Sequence, residues 1–561
     1  MAHRRARVVY FCPRPEGLAS LGQELIDGGH RVVRTLEGLD VEDGGLNLGL
    51  VLERTPEGVR ERLEREYASM VLMDLRPGSD GALFEFRSRA ALRVLELLDH
   101  AEDVEARYGF HRIAVLVSDE DGADVDDFLL NLGARGIRMV LRQGCHGRKD
   151  PRFAARALAR SCEAIRGRRV GQTALCLSGG GITGIYFELG VLKCLQDVLP
   201  ANALSELDMY FGISAGAVVA STLAVGYSVD EFMAALVGHP DTRMPALNLR
   251  LMRLAHFNHA DLRRRLVRAL GSGVGSFMRV LRGREHVSVE DLFLDYSDML
   301  GPLFHSDTFE GILRKLLEVP GATNDFRDLQ QLLLVGASDQ DARQHVLFGD
   351  EDRRMVPISK AVQASLSFNP AFSAVQIDGR YYEDGAVTRT SNFTEAIHRG
   401  ATLVLVVDPF VPYVSRAPGG HKDRGLFYHM DQSVRTISFT RFENARNWVL
   451  RRYPEVSTYT FLPSNRQRRL LSINPMDHRP YLEIWRGAYL STLQRLERMA
   501  HRMRGDLVAH HLSLSMERAQ AVAAQLEATE HPTLEDFYPD RRVVVPKPAL
   551  VRHRPRLRMA G

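Results

Sequence analysis

The chain is expected to fold as an α/β protein, and three features of its sequence carry that expectation. Residues 1 to about 168 alternate short apolar runs with helical patterns. Such alternation points to a parallel sheet with helices on both faces. Next, Thr173 to Ser178 reads as a short buried strand. The loop Gly179-Gly180-Gly181-Ile182-Thr183-Gly184 joins it to a helix from Ile185 to Leu199, with Ile185, Leu189, Leu192 and Leu195 on one face. Finally, Leu207 to Phe211 reads as a buried strand and Ala217 to Leu223 as a helix, with Gly212-Ile213-Ser214-Ala215-Gly216 between them.

In the first domain the strand-like runs are 7–11, 31–33, 69–73, 112–117 and 138–141, and the clearest helical patterns are 18–27, 84–98 and 125–132. The stretch Val71-Leu72-Met73-Asp74-Leu75-Arg76-Pro77-Gly78 resembles the phospho-acceptor strand end of response-regulator receiver domains, with Ser118 where that family has its hydroxyl residue. Cys12-Pro13-Arg14-Pro15 stands where the family carries an acidic pair, and Arg142 where it carries Lys. The reading is a degenerate, unphosphorylated receiver-like domain. A generic Rossmann-like doubly wound domain weighs equally.

The chemistry sits in the second stretch. A strand, a sharp turn with Ser at its tip and a helix make a nucleophile elbow. Strand and helix nearly touch at such a turn, so a side chain at Gly212 or Gly216 would clash. The Ser is expected in strained backbone geometry that lifts its hydroxyl clear. The Gly-rich loop at 179–184 exposes N–H groups at a positive helix end, where a phosphate or the oxyanion of a tetrahedral intermediate can sit. The Lys-Ser/Thr pair of a P-loop is missing, which favours the oxyanion. Farther on, Asp378 to Ala386 places a carboxylate, Asp384, on a Gly turn at Gly385, after the segment Ala364-Ser365-Leu366-Ser367-Phe368-Asn369-Pro370-Ala371-Phe372.

In this order the GGGITG loop, the GISAG elbow, the ASLSFNPAF segment and the YYEDGA turn resemble the patatin-like phospholipase family, over about residues 170–410. The resemblance implies a three-layer α/β/α catalytic domain, lipid acyl hydrolysis and a Ser-Asp dyad. Ser214 would be the nucleophile and Asp384 the base. Gly179, Gly180 and Gly181 would form the oxyanion hole, with Gly184, Gly212, Gly216 and Gly385 supporting the motifs. Thr183 stands where the family often has Arg or Lys, and the run Val387-Thr388-Arg389-Thr390-Ser391-Asn392-Phe393 stands where it often has Asn and Pro. The chain order Ser214, Asp384, His398 also allows a Ser-Asp-His triad.

The expected organisation is a receiver-like or Rossmann-like domain at 1–168, a catalytic domain at 169–452, a mostly helical region at 453–540 and a basic tail at 541–561. Between 240 and 303 lies a helical insertion. There Leu247, Leu251 and Leu254 share a face, and a second helix starts near cap Asn258. Arg250, Arg253, Arg263, Arg264, Arg265 and Arg268 in this stretch fit a lid with a solvated face, or a surface that docks on anionic lipid. The tail is read as extended and solvated, with lipid headgroups as the alternative partner.

A net charge of +3 over 561 residues does not argue for nucleic acid. The five cysteines are scattered, without metal-ligand spacing, which fits a reducing compartment. No window approaches the ~18 apolar residues of a membrane span. These features predict a cytoplasmic enzyme, peripheral at the inner face of the membrane, that needs no metal or organic cofactor. Its expected substrate is an acyl-ester lipid, most simply a phospholipid or lysophospholipid. A homodimer or regulation through the N-terminal domain is an open expectation. The alternatives are a transacylase or neutral-lipid lipase using the same residues, and a non-catalytic lipid-binding scaffold.

Overall fold

The computed structural model describes residues 6–43, 46–66, 68–78, 81–99, 108–144, 171–240, 242–247, 304–369, 371–453 and 455–539, with short pieces at 153, 156–158, 263–264 and 267. The helical patterns expected between 248 and 303, apart from those pieces, and the basic tail 541–561 lie outside the described residues. Two compact units emerge. One comprises Met1–Gly171, Asn447–Ser457 and Leu496–Leu514; the other comprises Gln172–Arg446, Thr458–Arg495 and Ser515–Gly561. The helical stretch 453–540 is thus divided between them.

The first unit holds β1 (Ala6–Phe11), β2 (Val32–Arg34), β3 (Gly38–Asp43), β4 (Leu46–Glu53), β5 (Met70–Asp74), β6 (Ile113–Ser118) and β7 (Met139–Gln143). Their order is β2-β3-β4-β1-β5-β6-β7. The five strands β4, β1, β5, β6 and β7 are mutually parallel, an order seen in doubly wound folds. Side chains alternate across the sheet. Val9 and Phe11 join a core with Val59, Phe84, Val94 and Phe128 of the helices Pro56–Arg65, Phe84–Asp99 and Ala123–Ala134. Val8 and Tyr10 face the opposite core, with Leu21 and Leu25 of the helix Gly17–Asp27.

Beyond the expected parallel strands, the sheet carries an antiparallel edge, because β2 and β3, and β3 and β4, are antiparallel. Strand β3 (Gly-Leu-Asp-Val-Glu-Asp) and strand β4 (Leu-Asn-Leu-Gly-Leu-Val-Leu-Glu) carry an alternating pattern that the sequence reading passed over. Leu39, Val41, Leu48 and Leu50 are the buried faces of that hairpin.

At the end of β5, Asp74 is wholly buried. Arg76 donates to both its oxygens at 2.9 and 2.7 Å, the Arg14 guanidinium lies at 2.9 Å, and the Tyr10 hydroxyl donates at 2.8 Å. Although burial acts against its charge, Arg76 and Arg14 bring the carboxyl down to about 2. Ser118 caps the short turn after β6 by accepting from the Glu120 N–H at 3.2 Å, and Arg142 is paired with Asp119 and Asp126. Asp74, Ser118 and Arg142 are thus each engaged by neighbouring protein groups.

The second unit is built on β8 (Gln172–Leu177), β9 (Met209–Ile213), β10 (Leu332–Asp339), β11 (Gln344–Phe348), β12 (Val375–Ile377), β13 (Arg380–Asp384), β14 (Ala401–Val407) and β15 (Ser457–Phe461). The order is β12-β13-β10-β9-β8-β14-β15, with β11 beside β10. Strands β10, β9, β8 and β14 are parallel, while β11 and β13 run antiparallel to β10. The architecture is the α/β class expected, with parallel sheets and many helices.

The helix Gly181–Val198 is buried along nearly all of its length, so polar groups on it need internal partners. Lys193 Nζ lies 2.8 Å from Asp197 and 3.6 Å from Asp230, and 4.4 Å from the centre of the Tyr538 ring. Tyr489 donates to Asp197 at 2.9 Å, and Tyr538 to Asp230 at 2.9 Å. This buried network ties the C-terminal segment through Tyr538 to the helix that follows the Gly-rich loop.

Candidate active site

Ser214 stands between β9 and the helix Ala215–Ala224, with φ 54° and ψ −122°. A non-glycine residue at positive φ is strained unless its surroundings hold it there. Two close approaches do so. A Cβ on Gly212 would come 2.4 Å from Ala217 Cα, and one on Gly216 would come 2.4 Å from the Leu177 carbonyl. Only glycine allows the turn to press against its own helix and against β8. The third restraint is a hydrogen bond from the Ser214 N–H to Ser365 Oγ at 2.8 Å, and Ser365 in turn donates to the Gly336 carbonyl at 2.6 Å.

Asp384 ends β13. The register pairs it with Ala337 of β10, while Gly336 of β10 pairs with Ile213 of β9. The sheet thus brings the carboxylate to Ser214 across one intervening strand. The Asp384 side chain is buried and accepts a hydrogen bond from the Ser214 side chain and another from the Ala386 N–H, the latter at 2.8 Å. Burial dominates and pushes its carboxyl up to about 7, with the neighbouring Glu383 adding to the rise and the two hydrogen bonds opposing it. A carboxylate whose proton affinity matches neutral pH can take and return a proton there.

Gly179 lies against the Ser: a Cβ on it would be 3.2 Å from Ser214 Cβ and 3.7 Å from Ser214 Oγ. Gly180 caps the buried helix that begins at Gly181, and Gly184 and Gly180 both abut the ring of Pro409. The Thr183 N–H donates to the Pro475 carbonyl at 3.1 Å, and the Gly184 N–H to the Gly180 carbonyl. Among the described residues the N–H groups of Gly179, Gly180 and Gly181 donate to no protein acceptor, so the start of the helix keeps free donors beside Ser214. Gly385 packs against β10, where a Cβ would meet the Gly336 carbonyl oxygen at 2.4 Å.

The loop has no Arg or Lys at Thr183. A cation stands behind it instead. Arg435 is wholly buried, donates to the carbonyls of Pro409 and Leu471 at 3.2 and 3.4 Å, and lies 4.6 Å from the centre of the Phe410 ring. The Asp-Gly turn is held by a polar chain. Ser338 Oγ donates to the Asp384 carbonyl at 2.9 Å and meets Thr388 Oγ1 at 2.7 Å. His345 then bridges Thr388 at 2.8 Å and Asn392 at 2.9 Å. Burial lowers the His345 imidazole to about 4, so it is neutral at physiological pH.

His398 ends the helix Phe393–His398 and is exposed, whereas Ser214 and Asp384 are buried and bonded to each other. The triad arrangement is not formed. The sequence reading missed the roles of Ser365 and Ser367. The first holds the Ser214 N–H, and the carbonyl of the second accepts the Asp384 N–H at 3.1 Å. Both lie in the quoted ASLSFNPAF segment, which was the available signal.

A family model described as patatin-like phospholipase matches residues 175–397, a span that includes Gly179, Ser214 and Asp384. Over 65 residues the chain is 42% identical to the cUMP-AMP-activated phospholipase of Escherichia coli, covering 12% of this chain and 20% of that protein. The match therefore spans one fifth of that relative's length. Among solved structures, VipD from Legionella pneumophila aligns at 16% identity with a TM-score of 0.27, over 64% of this chain and 76% of that one. The type III effector protein ExoU aligns at 15% identity with a TM-score of 0.22, over 64% of each chain. A structure of ExoU from Pseudomonas aeruginosa in complex with SpcU aligns at 14% identity with a TM-score of 0.21, over 64% of this chain and 63% of that one.

Proposed function

We propose that this chain, which carries a patatin-like phospholipase domain at residues 175–397, is a lipid acyl hydrolase acting through Ser214 and Asp384. The observation that supports this most is the buried Asp384 carboxyl, bonded to Ser214 and brought to about 7 by its surroundings. In the proposed cycle Ser214 Oγ attacks the acyl carbonyl carbon while Asp384 takes the hydroxyl proton. The carbonyl oxygen becomes an oxyanion and is held by the N–H groups of Gly179, Gly180 and Gly181. The C–O bond to the alcohol then breaks, and Asp384 returns its proton to the leaving alkoxide. Water, deprotonated by the same Asp384, adds to the acyl carbon; the C–O bond to Ser214 then breaks, Asp384 returns the proton to Ser214 Oγ, and the fatty acid is released.

The substrate class we propose is a carboxylic ester of a phospholipid or lysophospholipid. Among the described residues no helix is long and apolar enough to cross a membrane, so the proposed contact with lipid is peripheral. The test is fatty-acid release from phospholipid vesicles by wild type, Ser214→Ala and Asp384→Asn. Release by wild type alone, with both variants folded, supports the reading. Equal release by either variant overturns the dyad.

A further inference from the structure

The surface beside the candidate site is unusual for a solvated one. Val387, three residues after Asp384, is 40% exposed. Its carbonyl accepts from the Arg441 guanidinium at 3.4 Å, and Thr390 Oγ1 donates to the Ser438 carbonyl at 2.9 Å. These bonds seat the helix Leu426–Arg452 against the segment that leaves the Asp-Gly turn. On that helix Ile437 stands one turn before Arg441 and Met430 two turns before Ile437, which puts all three on one outer stripe. Ile437 is 58% exposed, and Met430 is exposed too.

A single exposed aliphatic residue needs no explanation. Here several line up beside the segment that leaves the Asp-Gly turn, and their rim is mostly basic. The preceding loop pins Tyr413 to the helix, its N–H donating to Gln432 at 2.9 Å, and then exposes Val414. Between Val414 and Gly425 it carries Arg416, Lys422 and Arg424 against one acid, Asp423. Among the described residues Arg416 and Lys422 have no ion-pair partner. The nearest helix acid, Asp431, is consumed by Arg435 at 2.7 Å.

We propose that this face, centred on Ile437 and rimmed by Arg416, Lys422 and Arg441, docks the protein on an anionic phospholipid bilayer. The inference rests on the hydrolase reading, because a lipid acyl hydrolase must draw its substrate from a surface. Apolar side chains enter the headgroup boundary while Lys and Arg meet lipid phosphates. A bilayer fits better than a protein partner, because the exposed aliphatic side chains are spread along a helix stripe and the loop beside them carries three cations, Arg416, Lys422 and Arg424, against one acid, Asp423.

The test compares wild type with Met430→Glu/Ile437→Glu and with Arg416→Glu/Lys422→Glu. Three readouts are taken: flotation with vesicles of phosphatidylcholine and phosphatidylglycerol, hydrolysis of those vesicles, and hydrolysis of a monomeric short-chain ester. Both variants change exposed side chains away from Ser214 and Asp384. Each is expected to lower vesicle binding and vesicle hydrolysis about tenfold, with hydrolysis of the soluble ester unchanged. Vesicle binding equal to wild type in both variants overturns the docking surface. So does a change of oligomeric state in the aliphatic variant with vesicle binding intact, which would make the face a contact between copies. Wild type that cleaves neither substrate overturns the hydrolase reading itself, a result distinct from both.

Discussion

At the scale of single residues, the decisive pair is Ser214 and Asp384. Burial raises the Asp384 carboxyl to about 7, and that shift has two consequences of opposite sign. For catalysis the base must be ionised, so kcat/KM should rise with pH along a limb with midpoint near 7, and steady-state pH profiles on a soluble ester would show it. For stability the folded state holds the proton more tightly than the unfolded chain. The contribution is fully present below the unfolded carboxyl's pKa of about 4 and is lost as pH rises through about 7, a change on the order of 4 kcal/mol. Asp384→Asn, which mimics the neutral carboxyl, should therefore melt no lower than wild type at pH 8 while losing at least ~10³-fold in kcat. A melting temperature well below wild type would show that the carboxylate stabilises the fold. Ser365 is expected to act as a positioning residue, because it holds the Ser214 N–H. Ser365→Ala leaves the Ser214 N–H buried without its acceptor, at a cost of about 1–3 kcal/mol. We expect kcat to fall with KM little changed, and Ser365→Thr to restore part of the loss.

At the scale of elements, the elbow was legible because its constraint is local. Gly212 and Gly216 flank the Ser at fixed spacing, and the structure shows what each prevents: backbone atoms already stand within 2.4 Å of where a Cβ would go. Gly216→Ala should therefore fail to give a folded elbow, seen as loss of soluble protein or a severe drop in melting temperature. A Gly226→Ala control has no atom within 4 Å of the new Cβ but sits at φ +100°, so it should cost less. The hairpin of β3 and β4 was equally local in pattern and was passed over, which is a failure of reading and not of signal. Ser365, by contrast, was not legible in its role. It meets Ser214 across 151 residues of chain, and a Ser near a helix end reads as polar filler until the sheet brings it under the elbow. The same holds for Ser338, Thr388, His345 and Asn392, whose chain holds the Asp-Gly turn.

At the scale of the whole molecule, the chain has two compact units, each with its own sheet. The alternation of strands and helices announced both sheets. The division of the C-terminal helices between the units was not legible, because an amphipathic stripe shows that a helix packs without showing on what. The Lys193 network gives a test of this organisation. Lys193→Ala leaves Asp197 and Asp230 buried with fewer partners, at a cost of about 3–5 kcal/mol. Calorimetry should show the transition of the second unit moving down while that of the first stays in place. A common shift of all unfolding would mean that the two units melt as one.

The central claim is that Ser214 is a nucleophile activated by Asp384. It is tested most directly by reaction with a fluorophosphonate, followed by intact-mass and peptide mass spectrometry. The account predicts one adduct, on Ser214, absent in Ser214→Ala and formed at least ~10²-fold more slowly in Asp384→Asn. An adduct on another serine, or an unchanged labelling rate in Asp384→Asn, would contradict it.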